Sequence, residues 1–259
     1  MTLIPLSSKK IFTNKNINLI ATDMDGTLTR YGKFSASLFK ALEALAVANI
    51  SVLIVTGRSA GWVQGLKSYL PVTGAIAENG GVFFLGNSEE PKLLTPIADL
   101  ITHRQNLATT FAYLKSHFPK IKESTDNPFR LTDWTFDVQG LTIAELHQLE
   151  QLCQAKNWGF TYSTVQCHIK PEKQTKATSL LQVLNSYFPQ LTTENLITVG
   201  DSPNDETLFD QSIFPVSVGV ANVLHYQDKL KFLPTYVTSL AEGEGFRELA
   251  ELVLQMRSH

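Results

Sequence analysis

Cysteine is scarce in this chain, whose 259 residues include only Cys153 and Cys167. Two cysteines cannot form the several disulfides of a small secreted domain or the ligand set of a four-cysteine zinc site. Both lie in ordinary apolar patterns, so we expect two reduced, buried thiols. The cysteine content therefore favours a reducing compartment.

The chain also lacks a charge excess and a long apolar run. Its 22 basic and 24 acidic side chains leave a net charge of −2, which argues against binding nucleic acid through bulk positive charge. With 43% hydrophobic residues it is too apolar for a disordered chain. The most apolar stretch, 38–55, is interrupted by Lys40, Glu43 and Asn49, and 1–16 has no apolar signal region. We expect a cytoplasmic protein with no membrane or nucleic-acid partner, and the sequence indicates no oligomeric state.

Short apolar runs alternate with longer amphipathic runs towards both ends of the chain. The strands predicted from this pattern are 17–22, 50–55, 75–77, 196–199, 216–218 and 236–237. The predicted helices include 35–49, 59–69, 177–187 and 247–256. This alternation is typical of an α/β fold, a Rossmann-like parallel sheet with right-handed crossovers.

The middle of the chain has a different pattern. The predicted order is a helix at 98–118, a strand of alternating polarity at 129–138, a helix at 142–157 and two adjoining strands at 159–170. Such a block favours an open-faced α+β unit. Because it interrupts the parallel pattern, we predict an inserted cap domain at 87–171 and a core formed by 1–86 and 172–259.

Polar residues collect directly after four of the predicted core strands. The four clusters are Asp23 to Thr27, Thr56-Gly57-Arg58, Glu78-Asn79-Gly80-Gly81 and Gly200 to Asp205. In an open parallel sheet, ligands bind outside the carboxyl ends of the strands. The pattern therefore predicts that clusters far apart in the chain meet at one edge of one sheet.

Acidic residues dominate two of these clusters. Asp23 and Asp25 are two apart on extended backbone and so point to the same side, and Asp201 and Asp205 add two more carboxylates. Close carboxylates repel one another unless a cation is present. Oxygen ligands with room for water favour Mg²⁺ over zinc or a softer metal. We therefore predict a magnesium site at this edge.

A metal beside a free carboxylate suits phosphoryl transfer, because the phosphoryl group needs charge neutralisation and an in-line nucleophile. An aspartate can be that nucleophile. Thr56 offers a hydroxyl next to the flexible Gly57, and a lysine that follows the middle block, Lys173 or Lys176, would complete the charge balance. These residues predict a phosphate site beside the metal.

Together these motifs resemble the haloacid dehalogenase (HAD) superfamily of phosphatases. The resemblance is to subfamily IIB, with a C2B-type cap, which includes the Cof-type, sucrose and mannosyl-3-phosphoglycerate phosphatases. It rests on Asp23-Met24-Asp25-Gly26-Thr27-Leu28-Thr29, Val55-Thr56-Gly57-Arg58, Glu78-Asn79-Gly80-Gly81, Lys176 and Gly200-Asp201-Ser202-Pro203-Asn204-Asp205. The family usually has a glycine after its lysine, and this chain has Ala177 there. Lys176 is favoured over Lys173 because an apolar helix begins directly after it.

The resemblance implies a role for each motif. Asp23 would attack phosphorus, and Asp25 would act as general acid and then as general base. Asp23, Asp25 through its backbone carbonyl, and Asp201 would hold Mg²⁺, with support from Asp205. The phosphate group would be bound by Thr56, Gly57, Lys176 and Asn204.

Strand periodicity in the predicted cap suggests residues that read the substrate. Asp133 shares one face of its strand with Thr135, and His168 shares a face of another strand with Gln166. If these faces look towards the core, Asp133 and His168 would bind sugar hydroxyls or an acid, and Arg130 would contact an anionic group. A solvated sheet face is the alternative interpretation.

The sequence therefore predicts a Mg²⁺-dependent phosphomonoesterase that acts on a sugar phosphate or phospho-sugar acid through an aspartyl-phosphate. A sugar phosphomutase and a non-catalytic module that binds sugar phosphates are the alternatives. Release of free phosphate without a bisphosphate activator would separate the hydrolase from the mutase. Binding without turnover would indicate the module.

Overall fold

A large sheet and a small sheet organise the computed structural model, which describes residues 3–7, 16–86, 88 and 90–257. The strands of this part are β1 (Ile4–Pro5), β2 (Leu19–Thr22), β3 (Ser51–Val55), β4 (Gly74–Ala77), β5 (Val82–Leu85), β6 (Lys92–Leu93), β7 (Trp134–Asp137), β8 (Gly159–Tyr162), β9 (Gln166–Lys170), β10 (Leu196–Gly200), β11 (Ser217–Gly219) and β12 (Tyr236–Val237). The helices are α1 (Ala36–Val47), α2 (Ala60–Lys67), α3 (Leu100–His117), α4 (Ile143–Gln154), α5 (Lys176–Tyr187) and α6 (Glu242–Arg257).

The large sheet has the order β1-β12-β11-β10-β2-β3-β4-β5-β6. In this order, the seven strands from β1 to β4 are parallel to one another. β5 is antiparallel to β4, and β6 is antiparallel to β5. Helices α1, α2 and α6 cover one face and α5 covers the other, so the central strands are buried on both sides. The predicted α/β fold with a parallel sheet is confirmed.

The register of the central strands brings the ends of their polar loops together. Val199 of β10 lies opposite Thr22 of β2, which lies opposite Ile54 of β3. The backbone N–H of Asp23 donates to the carbonyl of Val199 at 2.9 Å, which extends the ladder by one residue. The loops that begin at residues 23, 56 and 201 therefore leave the sheet side by side.

The small sheet has the antiparallel order β7-β9-β8, with α3 and α4 against one face. Phe136, Cys167 and Ile169 point to these helices and are buried among their leucines. Cys153 of α4 lies in the same core, and both cysteines are free and buried, as expected. The opposite face of the small sheet carries polar side chains.

Several elements differ from the sequence-based expectation. β5 and β6 were not predicted, because the tight turn at Glu78–Gly81 hides a hairpin within a polar cluster. β7 begins at Trp134 rather than at 129, since the N–H groups of Leu131 and Thr132 bond to the Glu78 carboxylate instead of to a strand. α6 begins at Glu242 rather than 247, and its first turn packs Gly243 closely against the carbonyl of Leu28.

The small sheet and its helices fall within the predicted cap, whose first residue, Asn87, lies outside the described residues. The proposed domain division at 87–171 stays a prediction. No helix in the described part of the chain is long and apolar enough to cross a membrane.

Candidate active site

Three buried carboxylates from two distant loops meet at the carboxyl end of the large sheet. Asp23 follows β2, and Asp201 and Asp205 follow β10. Each offers a ligand oxygen within 4.8 Å of the other two. All three side chains are at most 3% exposed. The sequence-predicted meeting of acids from the first and last polar clusters is therefore present in the structure.

Local hydrogen bonds hold two of these carboxylates in place. Asp201 accepts from the Thr27 hydroxyl and from Asn222 Nδ2, both at 2.9 Å. Asp205 lies in the first turn of a 3₁₀ helix (Pro203–Phe209) and accepts from the backbone N–H groups of Asp201 (2.9 Å) and Ser202 (3.1 Å). Since each carboxylate oxygen has two lone pairs, these donors leave acceptor capacity on both carboxylates for a further ligand.

A buried lysine lies against the cluster. Lys176 is the first residue of α5, and its Nζ lies 2.5 Å from Asp23 Oδ1 and 2.7 Å from Asp205 Oδ1. Lys173, the other candidate, is exposed on the preceding turn. Thr175 caps α5 and fixes the point at which Lys176 enters the site. The geometry favours Lys176 over Lys173 as the cation of this site.

The charges of the cluster do not balance. Burial, together with the charge of Asp205, raises the pKa of Asp23 from 3.8 to about 7. Burial and the same neighbour also raise the pKa of Asp201 well above its usual range. For Lys176, burial lowers the pKa but Asp205 and Asp23 outweigh it, so its pKa is raised. One lysine among three buried carboxylates leaves a surplus of negative charge.

The donor set fits a hard divalent cation. Its ligands are all carboxylate oxygens, which suit Mg²⁺ better than a soft metal. A bound divalent cation would remove the repulsion that raises the pKa values of Asp23 and Asp201. The Asp25 carboxylate is not part of this cluster, so its predicted part as a metal ligand is limited to its backbone carbonyl.

Asp25 is turned towards Arg58 instead. Its two carboxylate oxygens accept from Arg58 Nε at 2.9 Å and from Nη2 at 2.7 Å. This bond and the charge of Asp25, against the opposing effect of burial, raise the pKa of Arg58. The guanidinium also lies over the Trp62 ring, 5.2 Å from its centroid. Sequence reasoning placed Arg58 in a motif but did not find this pair.

Three of the four predicted phosphate-binding residues, Thr56, Gly57 and Asn204, line one cleft of about 270 Å³ between the two sheets, and Lys176 reaches it only through its bond to Asp23. The cleft is lined by Asp23, Asp25, Thr56, Gly57, Arg58, Ser163, Val165, Gln166, His168 and Asn204. Thr56 directly follows β3, and its hydroxyl accepts from the Arg58 N–H at 3.2 Å. Asn204 donates to Asn79 Oδ1 at 3.1 Å. The cleft is therefore polar and bounded on the cap side by β9 and the loop before it.

A second buried network lies on the polar face of the small sheet. Arg130 Nη1 donates to both oxygens of Asp133 at 2.9 and 3.0 Å and to the Gly57 carbonyl at 3.0 Å. Its Nη2 donates to Asp126 and Gln166. His168 Nδ1 lies 2.8 Å from Asp133 Oδ2. The polar face looks towards the core, so the alternative of a solvated face is wrong.

The three predicted cap residues differ in their access to the cleft. His168 lines it, and among the described residues Nε2 of His168 has no hydrogen-bond partner. Arg130 and Asp133 lie behind it and are fully buried. The contact of Arg130 with an anionic substrate group is therefore not seen in this conformation, because its terminal N–H groups are taken by protein acceptors.

Comparison with known proteins agrees with this geometry. Residues 20–121 match the family of haloacid dehalogenase-like hydrolases. The chain is 29% identical over 246 residues to phosphoglycolate phosphatase 1 of Saccharolobus solfataricus, covering 92% of this chain and 96% of that protein. The crystal structure of protein 0175 of Thermoplasma acidophilum superposes with a TM-score of 0.73 at 19% identity, over 93% of this chain and 99% of that one. The chain is thus similar to haloacid dehalogenase-like hydrolases in both sequence and fold.

The fold of this HAD phosphatase is that of subclass IIB. A HAD subclass IIB sugar phosphatase superposes with a TM-score of 0.67 at 14% identity, over 91% of this chain and 98% of that one. The predicted family and phosphatase class are thus confirmed. The resemblance stated from the five motifs was sufficient to identify both.

Sequence reasoning missed the residue that joins the core of this HAD phosphatase to its small sheet. Glu78 is buried, and its carboxylate accepts from the N–H of Ala60 at 2.9 Å and of Thr132 at 2.6 Å. Burial and the charge of Asp133 raise its pKa. Gly81, beside it, has no room for a side chain because Thr132 lies against it. The only signal in the sequence was the polar turn itself, which did not reveal its partner.

Proposed function

We propose that this HAD phosphatase is a Mg²⁺-dependent phosphomonoesterase that forms an aspartyl-phosphate on Asp23. The observation that supports this most is the buried cluster of Asp23, Asp201 and Asp205, with Lys176 bonded to two of them. Asp23 would be the nucleophile, while Asp201 and Asp205 would hold the cation with the backbone carbonyl of Asp25. When bound, Mg²⁺ neutralises negative charge on the phosphoryl oxygens and on the carboxylates.

In the first half-reaction, an oxygen of Asp23 attacks phosphorus and the bond from phosphorus to the leaving oxygen breaks. Asp25 gives its proton to that oxygen, so the alcohol leaves neutral. Lys176, Thr56, Gly57 and Asn204 would hold the phosphoryl oxygens as charge builds up on them. In this structure Asp25 is held by Arg58, so it must turn away from that partner to donate.

In the second half-reaction, water attacks the phosphorus of the aspartyl-phosphate. Asp25 takes a proton from this water, and the bond between phosphorus and the Asp23 oxygen breaks. Inorganic phosphate leaves, and Asp23 is regenerated as a carboxylate. The cycle consumes one water and restores the proton on Asp25.

We also propose that 87–171 acts as a cap that closes the cleft against water and reads the leaving group. Its contacts with the core at Gly57 and Glu78 support this arrangement. His168 would contact the leaving group, and Arg130 and Asp133 would fix its position. For the substrate, the names of the similar phosphoglycolate phosphatases favour a short phosphorylated acid over a large sugar phosphate.

The test is phosphate release from a panel of 2-phosphoglycolate, 3-phosphoglycerate, glucose 6-phosphate and sucrose 6-phosphate. Assays run with Mg²⁺ and with EDTA, and in the absence of any bisphosphate. We expect Mg²⁺-dependent turnover, fastest with the short acids. Turnover that requires a bisphosphate would replace the proposal with a mutase, and binding without turnover would replace it with a non-catalytic module.

A further inference from the structure

Arg58 uses only one edge of its guanidinium in this structure. Nε and Nη2 hold the two oxygens of Asp25, at 2.9 and 2.7 Å. Nη1 has no acceptor among the described residues. A guanidinium presents two edges that each fit a carboxylate, and Nη2 can contribute one N–H to each edge. The edge formed by Nη1 and Nη2 therefore remains available.

The surroundings of Arg58 keep this edge accessible and oriented. Its side chain is 30% exposed and lines the cleft beside Gln166 and His168 of the small sheet. The Trp62 ring lies under the guanidinium, 5.2 Å away, and restricts the plane in which it can lie. The pair with Asp25 holds the guanidinium from its other edge and so helps to fix its orientation.

The other cations near the cleft are not available for an anion. Lys176 is engaged by Asp23 and Asp205, and the terminal nitrogens of Arg130 donate to protein acceptors. Burial lowers the pKa of His168 despite its bond to Asp133, which favours the neutral ring. Among the described residues lining the cleft, Arg58 is thus the cation with donors to spare.

We infer that Arg58 is the specificity-determining residue of this phosphatase and binds the carboxylate of a short acidic leaving group. This inference rests on the proposed function. One edge of the guanidinium would then bind the substrate carboxylate, while the other edge faces Asp25, which turns from it to donate its proton. In a short leaving group, one carbon separates the ester oxygen from the carboxylate, and this ester oxygen would lie next to Asp25. A longer leaving group would place its ester oxygen farther from Asp25.

The kinetic test compares 2-phosphoglycolate with 2-hydroxyethyl phosphate, which has a neutral hydroxymethyl group in place of the carboxylate. We expect Arg58→Gln to lower kcat/KM for 2-phosphoglycolate about 100-fold and for the neutral ester less than about 5-fold. Arg58→Lys keeps the positive charge but lacks the paired N–H groups of the guanidinium. It should therefore lower kcat/KM about 10-fold for 2-phosphoglycolate only. Arg247→Gln, which removes an exposed arginine paired with Glu244 and Glu251, is the matched control and should change neither value.

Equal losses on both substrates would overturn the inference, because a residue that only positions Asp25 affects every leaving group alike. Absence of turnover of either ester by the wild type would instead count against the proposed function.

A binding test separates the two cases. The wild type should bind 3-phosphonopropionate at least about 30-fold more tightly than propylphosphonate in calorimetry, and Arg58→Gln should remove this difference. Equal affinities in the wild type would also overturn the inference, and the Lys variant keeps the test valid if Arg58→Gln does not fold.

Discussion

Two buried charged clusters lie on opposite sides of the cleft, and they differ in their charge balance. On the core side, Lys176 faces three carboxylates, and burial raises the pKa values of Asp23 and Asp201. On the cap side, Asp133 is paired with both Arg130 and His168. A surplus of buried carboxylates favours the binding of a cation, whereas a buried carboxylate that already has a cationic partner does not require one. This difference supports our proposal that the core cluster is catalytic and that the cap cluster has a positioning role.

The largest expected effect is on activity at the core cluster. Asp23→Asn removes the nucleophile, so phosphatase activity should fall by about 10⁴-fold or more while the far-ultraviolet circular dichroism is unchanged. Asp25→Asn should also abolish turnover. Asp228→Asn, at an exposed carboxylate, is the control and should retain full activity. A folded Asp23→Asn protein that still turns over substrate would remove the covalent mechanism.

At the cap cluster we expect an effect on stability instead. Asp133→Asn leaves Arg130 buried without its charge partner, and should lower the free energy of unfolding by about 3 kcal/mol in urea titrations. Asp137→Asn, at an exposed carboxylate on β7, should change it by less than about 0.5 kcal/mol. An Asp133→Asn protein as stable as the wild type would mean that the charge of Asp133 is not needed to stabilise the buried Arg130.

Metal binding should stabilise the core cluster. At a Mg²⁺ concentration 100 times the Kd, the gain is about 2.7 kcal/mol, seen as a rise in Tm in calorimetry. Asp201→Asn should abolish most of this rise, and Asp228→Asn should keep it. A wild-type Tm that does not respond to Mg²⁺ would contradict the assignment of the surplus charge to a cation site.

The smallest expected effect concerns pH and His168. Because burial lowers the pKa of His168 below 6.5, the unfolded chain binds this proton more readily than the folded one. The contribution of the group to stability should therefore be present above pH 6.5 and be lost as the pH falls below it. Urea titrations at pH 7.5 and 5.5 should show this loss, and His168→Gln should reduce it while His147→Gln, at an exposed ring, should not. A loss of the same size in His168→Gln would show that other groups cause it.

The core cluster was predictable from sequence because its geometry follows from strand ends. Asp23, Thr56 and Asp201 each come directly after an apolar run, and parallel strands place such residues at one edge. The contacts of Asp25 with Arg58 and of Glu78 with Thr132 were not predictable, since they depend on side-chain rotamers and on how the small sheet docks. For the same reason, periodicity indicated the face of His168 but not the burial of Arg130 behind it.

The most direct test of the central claim is borohydride trapping of the phosphorylated enzyme. Wild-type protein is mixed with Mg²⁺ and 2-phosphoglycolate, quenched, and reduced, which converts an aspartyl-phosphate to homoserine, and the peptides are sequenced by mass spectrometry. We expect homoserine at position 23 and at neither 201 nor 205. Conversion at another aspartate, or none during active turnover, would contradict the proposal that Asp23 carries the phosphoryl group.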